Sequence, residues 1–404
     1  MKEKVHLITA VFFALFVIIV GLAFVILPDR DFSPEENRSL ALFPEFSWER
    51  LADGSFSSEI NDYFADQFPA RGLFVGVKGI AETLMQRGEN NGVLLGEDGQ
   101  LAVRRFRIYK SRIEHADDMD YYSPDAVRMN LDGIAAWVQS SGIETVTVLP
   151  PRSVDVCSSA FSYPREISDA LYADVSSLDP AAGPVDLLPL MREWYEAGEY
   201  VYLRTDHHWN GRGAYLAYRE IMKRFGMEDE ILPEDAFVYE QVPDFYGTTW
   251  SKSGLRFVGP DTLEIPLFGD EEDRFETVCL SERTVKGEDG KPKKSLEPYK
   301  SFDGWMNRDY LSEKDKYGAL LDGTHNIQTV FSKTEERERL LVVKDSFANL
   351  LVPFLARHFD LVILNLSGGI TDASRFAEEF GTTRALIVYN WENLITGTYP
   401  GNLR

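Results

Sequence analysis

The chain is poor in the residues that hold metals and disulfides. Its 404 residues include 2 cysteines, Cys157 and Cys279, and 6 histidines. No C-x-x-C and no H-x-x-x-H spacing occurs, so the common zinc-finger and zinc-protease patterns are absent. His6, His115, His325 and His358 stand apart. Only His207 and His208 adjoin, and Asp206 before them would make a three-ligand set, the weaker reading of that tripeptide. Positive charge is scarce as well: 42 Lys+Arg face 65 Asp+Glu, a formal charge of −23. Nucleic acid and anionic surfaces are thereby excluded as default partners, because such binding is driven by clustered cations. An acidic polysaccharide stays compatible, since a local basic groove can coexist with an acidic exterior. No internal repeat occurs, and low-complexity sequence is limited to short charged loops. Aromatics are plentiful, with 26 Phe, 18 Tyr and 7 Trp; sugar stacking and an ordinary core are both served by them.

Charge is missing altogether from Val5 to Leu27, and Pro28 ends that run. About 20 apolar residues cross a hydrocarbon core, whereas the apolar core of a secretory signal runs about 7–15. No small-x-small cleavage site follows. Lys2 and Lys4 precede the run, and Asp29, Asp31, Glu35 and Glu36 follow it. This asymmetry predicts a single-pass cell-membrane protein, N-terminus cytoplasmic and bulk extracytoplasmic. On that side a disulfide can form, yet spacing does not show whether Cys157 and Cys279 meet, and two free buried thiols are an equal reading. The remainder is long enough for a large core in one or two domains.

The expected organisation is an anchor at 1–28, a linker and helical segment at 29–85, and a globular domain at 86–404 with an irregular insertion at about 226–335. Phe56 to Leu84 has helical periodicity, with Ile60, Phe64, Phe68, Phe74, Val77 and Ile80 as buried positions. Gly92-Val93-Leu94-Leu95-Gly96 followed by Asp98-Gly99 reads as strand, turn, strand. Then helices and strands alternate: helix from Pro124 with Ser123 as cap, strand Thr145–Leu149, helix Leu187–Glu196, strand Tyr200–Leu203, helix Gly213–Phe225. The last third continues with strand 340–344, helix 347–358, strand 361–365, helix 373–380 and strand 385–389. Alternation with wholly apolar strands predicts an α/β fold with a mainly parallel sheet covered on both faces. The stretch 226–335 breaks the pattern. Its Lys286–Lys294 patch reads as an exposed loop or hairpin. Tyr246 to Gly254 reads as the floor or lid of a sugar site, or as plain turn chemistry.

Two motifs carry chemistry. In an extended Asp206-His207-His208-Trp209, side chains two apart share a face, so Asp206 and His208 meet and His207 turns away. Ser346 in Lys344-Asp345-Ser346-Phe347 follows an apolar strand and precedes a helix, where a hydroxyl and free backbone N–H groups are both exposed. A nucleophile, a base, an orienting carboxylate and oxyanion donors are the parts of an acyl-transfer site. A Ser or Asp at that junction is also an ordinary N-cap, and either Ser346 or Asp345 can fill that role. Both motifs are expected just past a strand's carboxyl end, where sites in such sheets gather.

Thr205-Asp206-His207-His208-Trp209 with Lys344-Asp345-Ser346-Phe347-Ala348-Asn349 resembles the DHHW protein family, which is similar to the alginate O-acetyltransferase group and to the SGNH hydrolases in fold. Glu35-Glu36-Asn37-Arg38, Phe68-Pro69-Ala70-Arg71, Gly92 to Gly96 and Tyr246-Gly247-Thr248 extend the resemblance over nearly all of the chain past the anchor. It implies an SGNH-like three-layer α/β/α domain with Ser346 as nucleophile, His208 as base and Asp206 as orienting acid. Ordinary SGNH enzymes place D-x-x-H after the serine; here D-x-H precedes it, an order the acetyltransferase group shares. The Ser346 N–H is expected as one oxyanion donor, with Asn349, Gly247 or Arg152 as a second. Arg152, Tyr246 and Trp250 are the candidate substrate-binding residues. No metal and no cofactor enter this chemistry. The resemblance further implies a polysaccharide acceptor and, since acetyl-CoA is not at hand outside the membrane, a membrane-bound O-acyltransferase as acyl donor. Two rival readings share these features: a carbohydrate esterase with the same triad, and a catalytically silent glycan-binding envelope protein.

Overall fold

A computed structural model describes residues 2–104, 107–109, 112–114, 124–162, 184–286, 291–370, 372–396 and 399–404. Ser123, the expected cap, and His115 lie outside these. The chain forms two compact units, one from residues 1–91 and 250–258, the other from 92–249 and 259–404.

In the first unit, helix α1 (Lys2–Ile26) runs unbroken, and its segment Lys4–Ile26 has a mean hydropathy of 3.0, long and apolar enough to cross a membrane. Helices α2 (Ser55–Asp66) and α3 (Arg71–Leu84) replace the single helix expected over 56–84. Pro69 has no N–H to continue a helix and disfavours helical backbone just before it, and Ala70 turns left-handed at φ 57°. Around this break Glu36 accepts from both Arg38 and Arg71, and Arg38 also forks onto Asp66. Two motifs far apart in sequence thus meet in one ion network. The expected buried set fails here: Phe64, Phe74, Val77 and Ile80 are exposed. The cause is glycine. Gly76 and Gly79 form the buried face of α3, and a Cβ on Gly79 would stand 2.9 Å from the Gly254 carbonyl. Close backbone approach packs the helix by its small side and turns the large apolar side chains outward.

The second unit comprises α4 (Pro124–Ser141), β1 (Glu144–Val148), α5 (Leu188–Glu196), α6 (Gly211–Arg224), β2 (Val238–Phe245), β3 (Asp261–Leu267), β4 (Phe275–Lys286), β5 (Pro292–Asp303), β6 (Ile327–Ser332), β7 (Arg339–Lys344), β8 (Asp360–Asn365), α7 (Ala373–Phe380) and β9 (Arg384–Val388). The seven-stranded sheet has the order β5-β4-β6-β8-β7-β9-β1. Strands β8, β7, β9 and β1 run parallel, the block the alternation predicts; β6, β4 and β5 extend it antiparallel. Successive residues of β7 face opposite cores: Leu340 and Val342 join α5 and α6 side chains, Leu341 and Val343 join those of α4 and α7. Three layers result.

The stretch 226–335 is not irregular. It supplies the β2/β3 pair and three strands of the main sheet. These strands mix polar and apolar residues, as in Glu276-Thr277-Val278-Cys279-Leu280-Ser281, so no continuous apolar run announces them. Of the Lys286–Lys294 patch, Lys286 and residues 292–294 pair in the β4/β5 hairpin; residues 287–290 lie outside the described residues. Cys157 and Cys279 are both free and buried.

Candidate active site

One residue, Asp345, separates β7 from Ser346, which opens a 3₁₀ turn, Ser346–Leu351. The cap of that turn is Asp345, whose Oδ1 accepts the Phe347 N–H at 3.0 Å. Its Oδ2 accepts the Asn390 N–H at 2.7 Å and the Asn393 amide at 2.9 Å, tying the turn to the chain after β9. The serine hydroxyl is therefore not spent on capping. It donates to His208 Nε2 at 2.7 Å, and His208 Nδ1 donates to Asp206 Oδ1 at 2.5 Å. Asp206 and His208 are buried and Ser346 is half-buried.

The base arrives differently from the sequence expectation. Tyr200–Leu203 is no strand of the sheet. It folds back on Trp209 as a tight loop, with a Tyr202/Trp209 bridge, Leu203 N–H donating to His208 C=O and Asn210 N–H to Val201 C=O. Local closure has taken the hydrogen bonds that a sheet neighbour would supply. Nor does His207 turn away. Its ring lies 3.9 Å from that of His208, centroid to centroid, and its Nδ1 sits 2.9 Å from Thr248 Oγ1 and 3.2 Å from Asp206 Oδ1.

The loop is hung from the 226–335 stretch. Asp261 Oδ2 accepts the Thr205 N–H and hydroxyl at 2.6 and 2.7 Å, while its Oδ1 accepts Tyr200 OH at 2.5 Å. Thr248 donates its N–H (2.6 Å) and hydroxyl (3.0 Å) to Asp206 Oδ2. Gly247 packs against the carboxylate so closely that a Cβ would stand 2.4 Å from Asp206 Oδ2. Tyr317, also from this stretch, stacks on the His208 ring at 4.1 Å and 14° and donates its hydroxyl to the Ser346 carbonyl at 3.0 Å. Trp209 Nε1 donates to the next carbonyl, of Phe347, at 3.0 Å. Tyr317 and Asp261 carry no sequence signal of their own. Thr248 stood in a quoted motif, without a role assigned.

Burial alone would raise the Asp206 carboxyl, but the imidazoles of His207 and His208 hold it well below the usual carboxylate range. Burial, with the neighbouring His207, pushes His208 below the ordinary histidine value against the pull of Asp206. His207 is raised, because Asp206 outweighs the desolvation. A neutral, oriented imidazole beside a hydroxyl is a competent general base at neutral pH. Lys344, fully buried, is pushed down to about 8 by burial and donates to Asn349 Oδ1 at 2.6 Å.

Of the three candidate second oxyanion donors, Gly247 gives its N–H to Thr205 Oγ1 at 3.2 Å, and buried Arg152 forks onto Asp155 at 2.7 and 3.0 Å. The Asn349 amide nitrogen has no hydrogen-bond partner among the described residues, and neither has the Ser346 N–H. Arg152 is equally committed as a substrate ligand. Trp250 belongs to the first unit, where its indole donates to Val258 C=O at 3.0 Å under the Arg256 guanidinium. Tyr246 is half-buried next to Gly247. Two groups gather metal-type ligand atoms among the described residues, Asp206-His207-His208 and Cys279-Asp322-His325. In the first, both nitrogens of His208 are engaged by Asp206 and Ser346; in the second, Lys300 Nζ stands 2.6 Å from Asp322 Oδ2, where a cation would sit.

Residues 116–245 match the family described as the SGNH hydrolase-like domain of acetyltransferase AlgX, a span that holds Asp206 and His208 but ends before Ser346. No curated protein matches the sequence. Several solved structures match, among them these two. Bacillus cereus PatB1, solved with a sulfonyl adduct, aligns at a TM-score of 0.56 and 19% identity, over 77% of this chain and 98% of that one. A DHHW family protein from Eubacterium siraeum aligns at 0.52 and 18%, over 77% and 98%. The chain has an SGNH-like α/β fold, which it shares with the DHHW family protein, and its likeness to AlgX rests on the matched residues 116–245.

Proposed function

We propose that this chain is a membrane-anchored, extracytoplasmic O-acyltransferase that acetylates hydroxyls of a cell-envelope or exported polysaccharide through a Ser346 acyl-enzyme. The observation that carries the reading is the Ser346–His208 hydrogen bond, with the competing cap role filled by Asp345. His208 Nε2 takes the proton from Ser346 Oγ as the oxygen bonds to the acyl carbon, then gives it to the leaving group. In the second half a glycan hydroxyl passes its proton to His208, attacks the ester carbon, and Ser346 Oγ recovers a proton from His208. Asp206 holds the Nδ1–H tautomer and stabilises the imidazolium. The Ser346 N–H and the Asn349 amide, oriented by Lys344, receive the oxyanion. The acyl group reaches the site from a membrane-bound O-acyltransferase, which should co-purify in mild detergent; its absence would count against that donor.

The test is intact-mass spectrometry of the full chain in detergent after exposure to an activated acetyl ester, beside Ser346→Ala. A serine-dependent adduct discharged faster by a glycan than by water is the expected result. Discharge by water alone would make the chain an esterase. No adduct on a folded protein would refute the acyl-enzyme and leave a glycan-binding protein.

A further inference from the structure

The outward apolar face of α3 has the spacing of a designed surface. Leu73, Val77, Ile80 and Leu84 recur at helical period, a stripe of about 16 Å at 1.5 Å per residue, and are 67, 54, 47 and 79% exposed. Phe74 adjoins them, and Phe64 on α2 is likewise exposed. Isolated apolar residues on a surface need no account, but a continuous exposed stripe beside a buried glycine face does.

We infer that this face is seated in the outer leaflet of the lipid bilayer, so that the first unit lies in the membrane surface rather than merely hanging from it. The inference rests on reading α1 as a membrane span. What identifies lipid as the occupant is α1 itself, which lies along the same face: Phe24 packs on Tyr63 and Phe64 at 5.7 and 5.2 Å, and Phe16 on Phe74 at 6.4 Å. Those contacts cover the second half of α1, from Phe16 to Phe24, about 12 Å of helix. With the N-terminus inside, that half crosses the outer leaflet. A bilayer that takes α1 therefore meets the α3 stripe at once. Phe46 and Trp48, packed together at 5.2 Å and largely exposed, suit the headgroup boundary, where amphipathic aromatics concentrate. The charges near the start of α3 are paired: Arg71 and Arg38 share Glu36, and Arg38 also binds Asp66.

Nitroxide labels on the full chain in phosphatidylglycerol/phosphatidylethanolamine nanodiscs test this. The variants are Val77→Cys and Leu84→Cys on the stripe, Lys78→Cys on the exposed polar side, and Phe13→Cys on α1; Cys157 and Cys279 are buried and do not compete for the label. Collision with oxygen, which partitions into lipid, is compared with collision with a water-soluble nickel chelate. Val77 and Leu84 should favour oxygen several-fold over the chelate, and Lys78 the reverse. Chelate access at Val77 and Leu84 equal to that at Lys78 overturns the inference, and so does shielding from both probes, which would mean a protein cover. Phe13 separates the two levels: oxygen-favoured at Phe13 but not at Val77 removes only the seat, whereas chelate-favoured at Phe13 removes the membrane span beneath it.

Discussion

Replacing Tyr317 separates its two contacts with the site. Tyr317→Phe keeps the ring that stacks on His208 and loses the hydroxyl bond to the Ser346 carbonyl. A neutral hydrogen bond is worth about 1 kcal/mol net, and because the resting site already makes this one, its loss should lower the melting temperature and leave acylation close to the wild-type rate. Tyr317→Leu loses the ring as well. An aromatic face over a desolvated cation is worth about 2 kcal/mol, and His208 becomes a cation only in the transition state. That part alone is roughly a 30-fold loss, and it should fall on kcat rather than KM, because the interaction with a cationic His208 is absent from the ground state. The assay is the burst of acylation by an activated acetyl ester with the full chain, alongside a thermal melt, since a buried ring also supports packing. A folded Tyr317→Leu protein that acylates at the wild-type rate, or that loses only KM, would refute the reasoning.

Gly247→Ala drives a Cβ into the Asp206 carboxylate, so Asp206 must move and loosen its bond to His208. A displacement near 1 Å costs about 100-fold in kcat, while circular dichroism should remain that of a folded protein; unchanged activity would show that the loop simply yields. The rate should rise with pH through a value below the ordinary histidine pKa and be flat by neutral pH, since activity needs neutral His208, whose pKa burial lowers, and is lost as pH falls through it. A kcat/KM limb titrating above the ordinary histidine value would contradict this. Lys344→Met should raise the melting temperature yet lower activity. Burial drops the Lys344 pKa from 10.5 to about 8, a cost of about 3 kcal/mol while it carries charge at neutral pH, and without it Asn349 loses its orienting partner. A fall in both would show that the ammonium is structural.

Much of the parallel block was legible because buried strands such as Leu340-Leu341-Val342-Val343 and Leu361-Val362-Ile363-Leu364 are apolar on both faces. Asp206 and His208 were legible as partners through their spacing, and Ser346 through its place at a strand end; the structure joins all three by hydrogen bonds. The path to them was not. Tyr200–Leu203 is as apolar as a sheet strand, but its hydrogen bonds close locally. The exposed stripe of α3 was read as core because periodicity says which residues share a face, not what that face meets. Tyr317 and Asp261 act through contacts made far from their neighbours in sequence, which no local pattern records. Arg152 is a candidate oxyanion donor and substrate ligand by sequence, yet its fork is closed by Asp155 three residues on.

The order of the parts along the chain has a consequence for biogenesis. His208 and Ser346 are 138 residues apart, and β1 pairs with β9, whose Arg384 meets Glu144 across 240 residues. If the chain crosses a membrane behind an N-terminal anchor, as proposed, the acid–base loop emerges first and has no nucleophile to activate. The parallel block lacks its inner strand until residues 384–388 have emerged, because β9 lies between β7 and β1 yet follows every other strand of the sheet in sequence. Non-local pairing of this kind is slow to form and is rewarded only after long loops have closed. Completion of the parallel block therefore waits on emergence of β9. A chain stalled or clipped before residue 384 carries every proposed catalytic side chain, but β7 is then paired on one edge only and no strand joins β1 to it.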